Sequence, residues 1–363
     1  MLRKAASFVL ASLRGSTYGS KYGSPLRSLR PCWTTFLTIL QNPPHLISLL
    51  AISFLLISPS SLPSAAAESV FKTAPQKTGT EVTLMSVYFR DAHVGWAVGS
   101  GGTVLKTVDG GQKWKKISSG TTALLTGILF TDGKQGWIIG ANGTIRSSTD
   151  GGITWSPRTV DTQVPLYGLS FVSPQEGWIV GGNGTILHTT DGGAHWTDQP
   201  STTTAALYAV HFVTPRRGTA VGAVGTVLAT EDGGESWVAQ ETQGSVTLFD
   251  VYFSDLSTGW VVGNAGAMFH TTDGGGRWVD RTLPCTRTCR RLTDLLRIRF
   301  TDSKTGWIVG ERGMVYRTAD SGFTWVEEGA ITTVSLFGLS FPDGLHGWAS
   351  GEKGTIVQLK VGR

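Results

Sequence analysis

The sequence predicts an all-β protein: a seven-bladed β-propeller of four-stranded antiparallel blades, closed by pairing of an N-terminal strand with the C-terminal blade. Three observations lead there. A box reading "TTDGGAHW" at 189–196 occurs in six versions, and its aspartates, Asp109, Asp150, Asp191, Asp232, Asp273 and Asp320, are spaced by 41, 41, 41, 41 and 47 residues. Gly-Trp pairs begin at Gly95, Gly136, Gly177, Gly259, Gly306 and Gly347 in the same frame, with Gly218-Thr219 in the vacant place; a phenylalanine marker recurs seven times, from Phe89 to Phe341. The last unit stops at "GTIVQLKVGR" with neither box nor fourth strand, while "SVFKTAP" at 69–75 stands where a fourth strand belongs.

The first 67 residues read as a targeting segment. They carry six Lys or Arg and no acid, and they end in the apolar run "LISLLAISFLLIS" followed by small residues up to Ala67. That run is 13 residues long, short of the roughly 20 that span a bilayer. Cleavage before Glu68 is expected, with an uncleaved membrane anchor as the alternative. Either a bacterial export signal or a plastid transit peptide followed by a lumen signal fits, so the expected location is the periplasm, the exterior or the thylakoid lumen.

The formal charge of +5 belongs to this leader: beyond it, 25 basic residues face 26 acidic ones. A general nucleic-acid surface is therefore not expected. The propeller is expected over 68–363, with the six extra residues inserted near 282–294.

Within a unit, the third shows the pattern. "LYGLSFV", "GWIVGG", "TILHTT" and "HWTDQP" are four short β-rich runs,. Asn-Gly in "GNGT" suits a tight hairpin between the second and third, because both residues accept positive φ. The acidic box joins the third and fourth. There the aspartate is expected to accept hydrogen bonds from turn amides, with Thr or Ser two residues earlier bonding locally, and the tryptophan lays its ring under the turn. Six equivalent aspartates spread around a ring cannot converge on one substrate, as catalysis requires. They are expected to be structural.

The box pattern (Ser or Thr, any residue, Asp, Gly or Ser, Gly, two residues of any kind, Trp) is that of the Asp-box or BNR repeat of sialidases, other glycosidases and non-enzymatic propellers. The longer unit, with its Gly-Trp strand and Gly-Thr turn, resembles the photosystem II assembly/stability factor-like repeat family over residues 69–360. The resemblance implies a non-catalytic chaperone-like scaffold, without cofactor or metal. Its implied partner is a membrane or envelope protein, such as a photosystem II reaction-centre subunit. A monomer is expected. The alternative is an exported Asp-box glycoside hydrolase, for which Tyr88 or Tyr252 near Asp250 would serve.

Binding residues are sought where the repeat is broken. Three positions before each phenylalanine marker stand Ser86, Gly127, Gly168, Ala209, Asp250, Arg297 and Gly338. The two charged residues fall in neighbouring blades, and Arg299 joins them. This is either a polar site by the central channel or an ion pair between blades. The insertion, in "RTLPCTRTCRRLTDLLRIRF", adds Arg281, Arg287, Arg290 and Arg291 as candidate docking residues. Its Cys285 and Cys289 fit a loop disulfide better than a metal pair, since no histidine or second cysteine pair flanks them.

Overall fold

The computed structural model describes residues 71–242, 244–283 and 292–362. They form seven separate four-stranded antiparallel sheets. The blades span 84–117, 125–158, 166–198, 207–239, 248–280 and 295–330, and the seventh joins 336–361 to the strand Phe71–Pro75. The closing strand runs antiparallel to the last one, from Phe71 opposite Val361 to Pro75 opposite Val357. The expected closure is therefore the observed one, and it covers an edge that would otherwise offer unpaired backbone groups.

The core is divided among the blade interfaces. The second strand of the first six units, as in Gly95–Gly99, is buried at every residue because neighbouring blades cover both faces. Three repeat markers meet at five of the seven interfaces. Trp178 of the third blade stacks on Phe212 of the fourth at 3.5 Å between ring centroids, and Trp348 of the seventh on Phe89 of the first at 3.6 Å. The box tryptophan then meets the same phenylalanine edge-on, as Trp237 meets Phe212 and Trp114 meets Phe89. The glycine of each Gly-Trp pair is required by this packing: a Cβ on Gly95 would lie 2.6 Å from the Phe89 ring.

The boxes are self-contained turns. In the first, Thr107 Oγ1 donates to Asp109 Oδ1 at 2.8 Å, the Gly111 N–H donates to Thr107 Oγ1 at 2.9 Å, and the Lys113 N–H donates to Asp109 Oδ1 at 2.9 Å. The same three bonds recur in the other five. Two of the boxes also cap the preceding blade: the carbonyl of Gly233 accepts from Trp178 Nε1 at 3.0 Å, and that of Gly110 from Trp348 Nε1 at 3.2 Å.

The hairpin between second and third strands places one residue of every unit in the left-handed region. Asn142 and Asn183 stand there in the second and third units, but Val224 takes the position in the fourth at φ 56°. A β-branched residue is strained in that conformation, and Val224 is 67% exposed, so its side chain contributes little packing. Val224→Asn is expected to stabilise the protein by about 1 kcal/mol. A urea midpoint at or below that of the parent protein would show that the turn stores no strain.

The innermost strands carry a feature the repeat markers did not reveal. Each has a bulge after its first residue, between Leu84 and Ser86 in the first blade and at the equivalent place in all seven. The seven extra residues, Met85, Thr126, Tyr167, Tyr208, Phe249, Leu296 and Phe337, line one small cavity at a single end of the channel. Bulges re-aim side chains in this way. Tyr208, Phe249, Leu296 and Phe337 form a buried apolar cluster there, packed with Met85 and Tyr167. Arg297 lines this cavity as well.

Candidate functional site

The other end of the channel opens into a cavity of about 480 Å³, lined by residues of the innermost strands that include Tyr88, Asp250, Tyr252, Arg297 and Arg299. The three charged residues expected to depart from the repeat do meet there. Asp250, 2% exposed, accepts from the Ile298 N–H at 3.0 Å and from Arg299 Nη1 at 2.7 Å. Arg297 Nη1 lies 3.5 Å from its other oxygen. Arg297 is anchored further by donating from Nε to the Phe337 carbonyl at 2.9 Å, and Arg299 by donating to the Ile298 carbonyl at 2.6 Å.

The group is an ion pair between the fifth and sixth blades, and it borders the channel. Two guanidinium groups share one carboxylate, which leaves one positive charge in excess. Burial pulls the Arg297 guanidinium below its ordinary value, with Asp250 opposing that pull. The Arg299 side chain is 35% exposed. It is the group able to turn part of its planar donor fork toward an incoming carboxylate.

The remaining candidates lie elsewhere. Arg281 follows the outermost strand of the fifth blade, Val279–Asp280, and is exposed, while Arg297 and Arg299 occupy the innermost strand of the sixth. Proximity in sequence therefore does not make one patch of them. Arg287, Arg290, Arg291, Cys285 and Cys289 lie outside the described residues. The six box aspartates stay in their own turns. Hydrogen bonds from turn residues hold Asp150, Asp191 and Asp232 well below the usual carboxylate range. Tyr88 donates its hydroxyl to the Phe130 carbonyl at 3.0 Å, and burial pushes its phenol up. Among the described residues there is no cluster of three or more His, Cys, Asp or Glu that could hold a metal.

His211 was not singled out by sequence, although it occupies the position that Arg299 fills two blades on. Loss of hydration, reinforced by the Arg299 charge and opposed by Asp250, pulls its pKa down to about 4. Its Nδ1 accepts from the Phe253 N–H at 3.0 Å, so the folded ring is neutral with its proton on Nε2. In the unfolded chain the ring titrates at about 6.5. Between those values the unfolded chain binds the extra proton, and stability falls as pH falls through the window. The full loss is on the order of 3 kcal/mol. His211→Asn keeps an acceptor without a titration, so its urea midpoint is expected to fall less from pH 7 to pH 4. Identical pH profiles for variant and parent would refute this.

Comparison with known proteins places the geometry in context. A family model described as photosynthesis system II assembly factor YCF48 matches residues 112–203, 198–278 and 239–328. No curated protein matches the sequence. Among solved structures, YCF48 bound to D1 peptide is 21% identical, with 79% of this chain and 94% of that chain covered at a TM-score of 0.65. YCF48 from Cyanidioschyzon merolae is likewise 21% identical, over 79% of this chain and 98% of that chain, at 0.64. A GH74 xyloglucanase from Xanthomonas campestris is 14% identical, over 78% of this chain and 53% of that chain, at 0.65. These likenesses establish a shared propeller fold.

Proposed function

The chain belongs to the photosynthesis system II assembly factor YCF48 family, and from that premise we propose that it is a non-catalytic scaffold that binds a photosystem II subunit of the D1 kind. In this reading the chain is exported, the leader at 1–67 is removed, and the propeller of 68–363 works outside the reducing cytoplasm as a monomer on a membrane-protein segment. A family relative has been solved with a D1 peptide, which supports a polypeptide partner.

The observation that carries the reading is the uncompensated guanidinium of the Asp250, Arg297 and Arg299 group at the open end of the channel. A planar fork with a free donor pair suits a peptide carboxylate. The glycosidase alternative is less well supported. A glycosidase that uses Tyr88 or Tyr252 departs from the two-carboxylate scheme but still needs a carboxylate free to act on its tyrosine, and among the described residues lining the cavity the one carboxylate, Asp250, is already engaged by two arginines.

Calorimetric titration of 68–363 with the D1 peptide tests the proposal. Saturable binding that weakens as salt is raised is expected, together with no turnover of a glycoside panel. Turnover without peptide binding would replace this reading with the hydrolase.

A further inference from the structure

Six of the seven blade interfaces are filled by a Gly-Trp tryptophan; the one between the fourth and fifth blades is not. In the six, the indole lies over the next blade's phenylalanine marker at centroid distances between 3.5 and 6.4 Å. In the fourth blade Thr219 takes its place, and the residue paired with it on the third strand is truncated too. That residue is Ala229, where four other blades put a basic or imidazole side chain over the indole: Lys106, His188, His270 and Arg317.

Nothing from the fifth blade moves in to compensate. A Cβ on the second box glycine would strike the preceding blade's tryptophan at 2.5 Å for Gly152, 2.8 Å for Gly193 and 2.4 Å for Gly322. At Gly275 the nearest atom is 3.6 Å away and belongs to its own box tryptophan, Trp278. The result is an open cleft of about 420 Å³ that includes Thr219, Ala229, Phe253 and Gly275 in its lining.

The rim has two further properties. Val238 and Leu256, both lining the cleft, are 59% and 48% exposed, among the most exposed large apolar side chains of the described residues. The charged lining is Glu231, Asp232 and Asp273 against Arg217, which is already paired with Glu231 at 2.9 Å. The cleft is thus apolar at its lip and net negative around it.

We infer that this cleft is a docking site for an aromatic side chain, flanked by basic residues, on a partner polypeptide. The partner's ring takes the position that a tryptophan occupies at the other interfaces, over Phe253, and its basic neighbours meet Asp232 and Asp273. The arrangement reproduces between two molecules the cation-over-indole stack that other blades build within one chain. The site lies outside the channel and does not depend on the Arg297 and Arg299 reading.

The test uses 68–363 and two synthetic peptides, acetyl-Gly-Lys-Trp-Lys-Gly-amide and its Trp-to-Ala counterpart, titrated by ligand-observed NMR. The tryptophan peptide is expected to bind about tenfold more tightly than the alanine one. Thr219→Trp fills the cleft from within and is expected to abolish that preference. Leu256→Lys, an exposed substitution that leaves the core intact, is expected to weaken binding of the tryptophan peptide about fivefold or more by placing a like charge at the lip. Equal binding of the two peptides by the parent protein, or an affinity for the tryptophan peptide untouched in a folded Leu256→Lys variant, overturns the inference.

Discussion

Asp250→Ala is expected to destabilise the protein by roughly 3–5 kcal/mol, more than any single box aspartate variant, because it leaves buried arginines without a counter-charge. Arg297 carries most of this effect: its side chain is 19% exposed, it holds the innermost strand of the sixth blade to the Phe337 carbonyl, and among the described residues Asp250 is the carboxylate it is paired with. The Ile298 N–H, which donates to Asp250, is orphaned by the same change. A half-buried box aspartate such as Asp109 bonds its own turn only, and the loss of such turn bonds costs far less than an uncompensated buried charge. Urea unfolding of Asp250→Ala beside Asp109→Ala measures the contrast. Equal midpoints would mean that water already solvates the arginines.

The second large effect comes from the ring closure. A chain beginning at Lys77 lacks Phe71–Pro75, and with it five cross-strand residue pairs and the contact of Phe71 with Trp307 at 5.1 Å. The strand Ile356–Val361 then becomes a bare edge. A loss of roughly 3 kcal/mol or more is expected from the missing backbone bonds and apolar burial, which lowers the melting temperature by about 10 °C. Association through the exposed edge is expected to accompany it. Adding a peptide of residues 68–77 in trans should restore part of the loss. A shortened chain that melts with the parent would show that the strand merely lies against the ring.

What the sequence revealed and what it hid have physical reasons. Phe89, Trp96, Asp109 and Trp114 recur because six of the seven interfaces carry the same aromatic stack and six of the seven units the same turn, so spacing alone exposed the blades and their number. Asp250 and Arg297 were legible as departures from small residues in that frame, and Arg299 as a charge two positions further along the same strand. The bulge at Met85 and its six equivalents escaped notice, because a bulge is a backbone event and its residues, from threonine to phenylalanine, share no chemistry. The separation of Arg281 from Arg297 was equally hidden: in a radial blade, adjacent segments of chain lie at the outer and inner ends of neighbouring sheets. Thr219 was visible as a missing tryptophan, but whether the gap had closed depended on Ala229 and Gly275, which only packing could reveal.

The central claim is that the repeated residues build the ring while, at the open end of the channel, the residues that break the pattern bind. It is tested most directly by measuring D1-peptide affinity and unfolding midpoint for two variants, Asp191→Asn and Arg299→Gln. The account predicts that Asp191→Asn loses stability at unchanged affinity, and that Arg299→Gln loses about tenfold or more in affinity while its midpoint moves far less than that of Asp250→Ala. Affinity lost with the box aspartate and kept without Arg299 would contradict it.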